Sequence, residues 1–465
     1  MPPISDYILS IHYLPAGSSA LLSCLALTLG VPWKTSLMIT CVGALMSCLA
    51  FYVQPLKCFT PLGGRFNVGV REVRGERGAM KPPVTVVYPT TSGTPRGGIE
   101  YLPFGERGYL VGLARYAKLP YVLVKDICLL RTKMRPNAEP APLFQRNGAP
   151  RPMVVFSHGL GGFPHLYSTL LMDFAVRGAV VFAMTHMDGS AAYCRDAGGD
   201  IRIPLNTQVG WTTEDRAPQL EVRIRETFNT MKRICSGELL LALGYDQATV
   251  DKYVAMAPSI HLVGHSFGGA TCLAAALGDT QDTSEAKRVS GIASVVVYDP
   301  WMVPLLKTMF YDKLTHKEHP RHFITPTLQI FSEEWMRNKE QYSFFAKVKA
   351  IVDAQERTAE EAALVAAADA KLNELKLSWY TIKDYCCTGH STCTDVPLFS
   401  PVLYRSSYMT ASPRGSIVGI AADTLQLIEK LSGPLPLDTK ILNNPELAAV
   451  LRAQKQYATL STRSP

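Results

Sequence analysis

The chain has 465 residues, 47% of them apolar and 18% charged, which excludes a disordered chain, a collagen-like fibre and a long coiled coil and admits one large domain or two to three small ones. Eleven cysteines are too sparse for a small disulfide scaffold, and without paired CxxC motifs a zinc ribbon is not expected. The net charge of +8 suits an acidic phospholipid surface, and no Lys/Arg run or RNA-binding signature points to a nucleic-acid partner.

Between Tyr7 and Leu56 the only formal charge is Lys34. It separates two apolar stretches, 20–31 and 35–53. The second has 19 residues and no charge, close to the roughly 20 that cross a bilayer. Residues 1–60 are therefore expected to be a hydrophobic segment that attaches the protein to a membrane. Two other readings stay open. One is a cleaved secretory signal, against which residues 1–6 carry no Lys or Arg. The other is a buried helical hairpin of the soluble domain. Lys57, Arg65, Arg71, Arg74 and Arg77 against Glu72 and Glu76 point weakly to a cytoplasmic flank. The chain has no Asn-x-Ser/Thr sequon, so the side of the membrane stays open and the secretory pathway remains a possible route.

Residues 62–150 are rich in Gly, Pro and basic residues. They predict short strands, such as 84–88, and a helix near 107–134. From residue 151 apolar strands at 153–156, 179–183, 260–263, 293–298 and 327–331 alternate with helices at 166–176, 216–235 and 269–277. This alternation predicts an α/β fold with a mostly parallel central sheet covered by helices on both faces. Residues 339–376 interrupt it with an Ala-, Glu- and Lys-rich segment. Thr358 and Glu361 form a capping-box pattern, and Leu364, Val365, Ala368 and Leu372 follow at helical spacing. The segment is a helical insertion, either a surface pair or a lid over a site. A strand at 379–382 and a last helix at 445–457 complete the chain.

The sharpest chemical signal is Gly264-His265-Ser266-Phe267-Gly268. It follows an apolar strand and opens a small-residue helix, the setting of a nucleophile elbow. Ser266 is the expected nucleophile. A serine hydroxyl needs a general base, itself oriented by a carboxylate. In this strand–turn–helix setting the order is Ser, then acid, then His. Asp299 ends the strand 294–298, and His390 lies in a Gly-flanked turn after the strand 379–382. Asp279 and Asp282 come too soon after the helix, and Asp395 is the alternative acid, with a cap or loop role as its plainer reading. The tetrahedral intermediate needs two backbone N–H donors. Phe267 supplies one by position, and the loop 157–162 after strand 153–156 supplies the other through Leu160. His158 is expected to pack beside the site without transferring protons. His316, His319 and His322 recur at three-residue spacing, but Pro320 disfavours a continuous helix and no second motif joins them, so no metal site is expected.

Four segments together resemble the monomeric platelet-activating factor acetylhydrolases, the plasma and intracellular type II forms. They are VVFSHGLGG (154–162), THMDGSA (185–191), GHSFGGAT (264–271) and DPWMVP (299–304). The similarity runs from about residue 65 to 455. The resemblance implies an α/β-hydrolase fold over residues 61–460, a triad of Ser266, Asp299 and His390, and an oxyanion hole of Leu160 and Phe267. It implies calcium-independent removal of acetyl, short or oxidised sn-2 acyl groups from phosphoglycerides, without a cofactor, by a monomer that approaches lipid surfaces. The apolar pair at the start, the 339–376 insertion and the Gly-His-Ser-Thr around His390 depart from the family pattern. A general carboxylesterase with the same triad and a catalytically inactive interaction protein are the rival readings; the intact triad and oxyanion loop argue against the latter.

Overall fold

The computed structural model describes residues 10–61, 63–256, 260–278, 291–306, 309–316, 321–401, 404 and 412–432. The helix expected at 445–457, Asp279, Asp282 and His319 lie outside them.

Two apolar helices open the chain, α1 (Leu14–Thr28) and α2 (Trp33–Val53). Then follow β1 (Asn67–Val73), β2 (Val84–Thr90), α3 (Gly108–Ala117) and the two-residue β3 (Arg135–Pro136). The alternating region holds β4 (Met153–Ser157), α4 (Ser168–Val176), β5 (Val180–Met184), α5 (Thr213–Cys235), β6 (Ile260–His265), α6 (Phe267–Ala276) and β7 (Ile292–Tyr298). It ends with β8 (Thr327–Ser332), α7 (Glu333–Arg337), α8 (Lys339–Asp353), α9 (Ala359–Leu372), β9 (Tyr380–Tyr385) and α10 (Pro413–Ser432).

The main sheet has nine strands in the order β9-β8-β7-β6-β4-β5-β2-β1-β3. From β9 to β5 every neighbour is parallel, and β2 alone runs antiparallel to both β5 and β1. Each central strand is buried along its whole length, as β4, β5 and β6 show, which is why they read as continuous apolar runs. Their side chains alternate between two cores. Met153 and Val155 face one with α5 and α6; Val154 and Phe156 face the other with α4 and α10. Strands β4, β6 and β7 therefore end side by side, at the edge where such sheets carry their sites.

The helix expected over 107–134 is broken in the structure. Helix α3 stops where Lys118 takes a left-handed φ of 54°. Pro120 follows with no N–H to extend the ladder. The chain resumes as the short helix Tyr121–Val124 and the 3-10 turn Lys125–Leu129. The 339–376 insertion forms α8 and α9, with the capping box of Thr358 and Glu361 in place. Phe345, Val348 and Val352 are buried in the same core as α5 and α6. The Gln341 side chain accepts the Met302 N–H at 2.9 Å, so α8 also buttresses the loop after β7.

Candidate active site

Strand β6 ends at His265, and α6 begins at Phe267. Ser266 sits between them at φ 55°, ψ −116°, a conformation an L-residue adopts only when its surroundings impose it. The flanking glycines allow the turn. A Cβ on Gly264 would lie 2.3 Å from the Gly268 carbonyl oxygen, and one on Gly268 would lie 2.0 Å from that of Ser157.

The structure brings Ser266, His390 and Asp299 together. His390 Nε2 lies 3.1 Å from Ser266 Oγ, and its Nδ1 lies 3.2 Å from Asp299 Oδ2. Asp299 follows β7 and also has a positive φ, 43°. Its Oδ1 accepts the Ser332 N–H at 2.7 Å, and its Oδ2 accepts the Ser332 hydroxyl at 2.6 Å. Burial pushes the Asp299 carboxyl up, opposed by His390 and Ser332. The His390 ring stacks on Trp335 at 3.9 Å between centroids, and its backbone N–H donates to Glu334 at 2.7 Å.

The loop 157–162, expected to supply an oxyanion donor, lies against Ser266. A Cβ on Gly159 would come within 3.2 Å of Ser266 Cβ. Gly161 needs its φ of 70°, and its N–H donates to the Ser190 carbonyl at 2.8 Å. Among the described residues the Leu160 and Phe267 N–H groups find no backbone acceptor.

Two buried networks hold this arrangement. Gly159 N–H donates to the Tyr167 hydroxyl at 3.0 Å, which lies 2.8 Å from His265 Nδ1. His265 Nε2 lies 2.9 Å from the His390 carbonyl oxygen. Burial and the neighbouring His390 push His265 well below the usual imidazole range. The neutral ring thus donates from Nε2 and accepts at Nδ1, joining the 157–162 loop to the His390 backbone. The second network is centred on Arg223 of α5, which is fully buried. Its Nη1 donates to the His158 carbonyl at 2.8 Å, Nη2 to Ser190 Oγ at 2.6 Å and Nε to Asp188 at 2.9 Å. Its guanidinium lies 4.2 Å from the Phe267 ring centroid. One side chain thus touches both segments that carry the expected oxyanion donors. Beneath it, Ser157 Oγ, His186 and Glu226 are bonded at 2.8 and 2.6 Å. Burial pushes Glu226 up and His186 down, each toward its neutral form.

The other candidates fall elsewhere. Asp395 accepts the Thr169 N–H and the Tyr101 hydroxyl, each at 3.1 Å, at the start of α4. Burial pushes it up to about 7. His158 is held by the Gly159 carbonyl and the His186 N–H, and burial pushes it down to about 3. His322 pairs with Glu361 at 2.8 Å, and the described residues contain no cluster of three metal-binding groups. A cavity of about 490 Å³ lies apart from Ser266, Asp299 and His390, lined by residues including Glu72, Phe104 and His165.

Sequence reasoning missed Ser332, Trp335, Arg223, Tyr167 and Glu226. Asp188 and Ser190 fall within THMDGSA, so that motif did signal one half of the Arg223 network.

Residues 53–362 match the profile of the family described as platelet-activating factor acetylhydrolase, isoform II. The platelet-activating factor acetylhydrolase of Canis lupus familiaris is 31% identical over 255 residues, covering 50% of this chain and 53% of that protein. The chain thus spans about half the length of that curated relative. A putative phospholipase A2 of Schizosaccharomyces pombe is 24% identical over 67% of this chain and 74% of its own. Among solved structures, a ferulic acid esterase from Streptomyces cinnamoneus superposes with a TM-score of 0.52 at 17% identity. It covers 81% of this chain and 95% of its own, and it shows the α/β-hydrolase fold.

Proposed function

Because the chain belongs to the platelet-activating factor acetylhydrolase family, we propose that it is a serine esterase acting on lipid esters. Its substrates are platelet-activating factor and related phosphoglycerides with an acetyl, short or oxidised sn-2 acyl group. Residues 61–460 carry the catalysis, and residues 1–60 hold the protein at a membrane. The reading is carried by the hydrogen-bonded line from Asp299 through His390 to Ser266, with separations of 3.2 and 3.1 Å.

Ser266 Oγ attacks the ester carbonyl while His390 Nε2 takes its proton. Asp299 keeps the other imidazole proton on Nδ1 and stabilises the imidazolium. The Leu160 and Phe267 N–H groups donate to the oxyanion. Collapse of the tetrahedral intermediate leaves the acyl group on Ser266, and the lysophospholipid departs with the proton from His390. Water, deprotonated by His390, then releases the carboxylic acid and restores the serine. The exposed Trp211, joined through the buried Trp301 to Phe267 beside Ser266, offers an aromatic surface on which a lipid chain would lie. Trp301 packs edge-on against Phe267 at 5.6 Å, and the exposed Trp211 packs against Trp301 at 5.8 Å.

The test is hydrolysis of a panel of phosphatidylcholines with sn-2 chains from acetyl to long acyl, beside simple carboxylic esters. A preference for acetyl and short chains supports the reading. Equal turnover of non-lipid esters would make the protein a general carboxylesterase.

A further inference from the structure

A helical hairpin that packs in water buries its large apolar side chains and exposes its polar ones. Helices α1 and α2 do the reverse. Every buried residue in them is Ser or Gly: Ser19 and Ser23 in α1, Ser36, Gly43 and Ser47 in α2. Between the helices Ser23 Oγ donates to the Ser36 carbonyl at 2.6 Å, and Thr40 Oγ1 donates to Ser23 Oγ at 2.7 Å. Gly43 permits the close approach, since a Cβ there would lie 1.9 Å from Ser19 Oγ. Outside, Leu21 is 73% and Leu45 70% exposed, with Leu22, Leu29, Met38 and Leu49 alongside. Small residues and hydroxyl bonds between helices, with Leu outward, is the packing pattern of a bilayer. Two outward-facing hydroxyls of α1 are turned back onto their own helix: Ser18 to the Leu14 carbonyl and Thr28 to that of Leu25, each at 2.7 Å. That removes bare polar groups from a surface facing lipid.

The two ends of the hairpin differ. At the turn, exposed Trp33 and Lys34 offer an aromatic ring and the segment's one charge. At the base, Tyr13 and Tyr52 are exposed, so aromatic anchors mark both interfaces. Helix α2 has 21 residues, about 32 Å of rise against the ~30 Å hydrocarbon core; α1 has 15, about 22 Å, so its crossing draws on the apolar Leu29 and Val31 that follow it and on local thinning of the bilayer. The chain enters and leaves at the base. Before α1, Ser10 Oγ and His12 Nδ1 bond Asp126 at 2.7 and 2.8 Å, and His12 Nε2 bonds the Gln54 carbonyl just after α2 at 2.5 Å. Ser400 Oγ donates to the Val53 carbonyl at 2.6 Å. Ser10, His12 and Asp126 are buried. The start of α1 is therefore fastened to the catalytic domain.

From this we propose that residues 13–53 cross the bilayer twice, both ends on the catalytic-domain side, with Trp33 and Lys34 at the far interface. The inference rests on the membrane attachment proposed above and adds its topology. The full-length chain carries an epitope ahead of Met1. A second version also has a specific protease site inserted between Gly30 and Val31. Both are made in sealed microsomes. Carbonate washing first asks whether the chain is integral; release into the wash overturns the attachment and the topology together. In the retained fraction the epitope should share the catalytic domain's protease sensitivity, and the inserted site should show the opposite sensitivity, equalised only by detergent. An epitope protected while the domain is digested would mean a single crossing and overturn the hairpin. An inserted site cut from the domain's side without detergent would mean that the hairpin does not cross. An epitope missing from the finished chain would mean a cleaved signal. The first version leaves the hairpin sequence intact, so the epitope result stands even if the insertion disturbs folding.

Discussion

Replacing Asp299 by Asn tests the proposed acid through its hydrogen bonds. The carboxylate only accepts: at Oδ1 from the Ser332 N–H at 2.7 Å, and at Oδ2 from the Ser332 hydroxyl at 2.6 Å and from His390 Nδ1 at 3.2 Å. An amide has one acceptor face and one donor face. With its NH2 toward the Ser332 backbone, two donors oppose each other. With its NH2 toward His390, it donates where the carboxylate accepted. The imidazole is then protonated on Nε2, the nitrogen 3.1 Å from Ser266 Oγ, and cannot take the serine proton. Loss of the correct tautomer costs ~10⁴ in kcat in the serine-triad precedent, a barrier rise of about 5.4 kcal/mol. The assay is kcat on a chromogenic acetate ester, with thermal unfolding to show that the fold persists. Asp395→Asn is the control. Asp395 holds Thr169 and Tyr101, so its loss should cost stability of about 1–3 kcal/mol below pH ~4, where the carboxyl is protonated in folded and unfolded chain alike, and less than about tenfold in kcat, ~1.4 kcal/mol. An Asp299→Asn protein within tenfold of the parent, or Asp395→Asn as the inactive one, would refute the assignment.

Arg223→Lys keeps the charge but cannot reach His158, Ser190 and Asp188 with one fork. It should lower kcat by about 10- to 100-fold with little change in KM, short of the ~10²–10³ for removing an oxyanion donor outright; an unchanged kcat would make the network merely structural. Activity should survive excess EDTA, because a serine triad supplies its own nucleophile and base; loss restored by calcium or zinc would contradict this and direct attention to His316 and His322. Asp395 is held up to about 7, whereas in an unfolded chain it ionises near ~3.9. Between those values the folded state keeps a proton the unfolded chain has released, so this group makes stability fall as pH rises from ~4 to ~7. Asp395→Asn should flatten that part of the denaturant-midpoint profile relative to the parent, and an unaltered slope would argue against a buried protonated carboxyl.

The strands and the elbow were legible because they are local. Burial on both sheet faces makes β4, β5 and β6 unbroken apolar runs. A strained turn at Ser266 between two close backbone contacts admits only glycine at 264 and 268. The capping box at Thr358 was equally local. What failed was non-local or punctuated. The apolar pattern through 107–134 looked continuous, and Lys118 with Pro120 broke it. Arg223 sat unremarked in a charged helix because its partners, at 158, 188 and 190, are joined to it only by the fold. Ser332 and Trp335 support Asp299 and His390 from the next strand end, which no spacing along the chain reveals. In the hairpin, composition gave the apolar surface, while the inward Ser and Gly seam appeared only once the two helices were paired.

The central claim is that Ser266 forms the covalent acyl-enzyme. The most direct measurement is intact and peptide mass spectrometry of the protein after reaction with a fluorophosphonate and, separately, after rapid acid quench during acetyl-ester turnover. The account predicts one adduct per chain, mapped to Ser266, absent from Ser266→Ala and slowed in Asp299→Asn. Adducts mapped to another residue, or Ser266→Ala retaining activity within about tenfold of the parent, would contradict it.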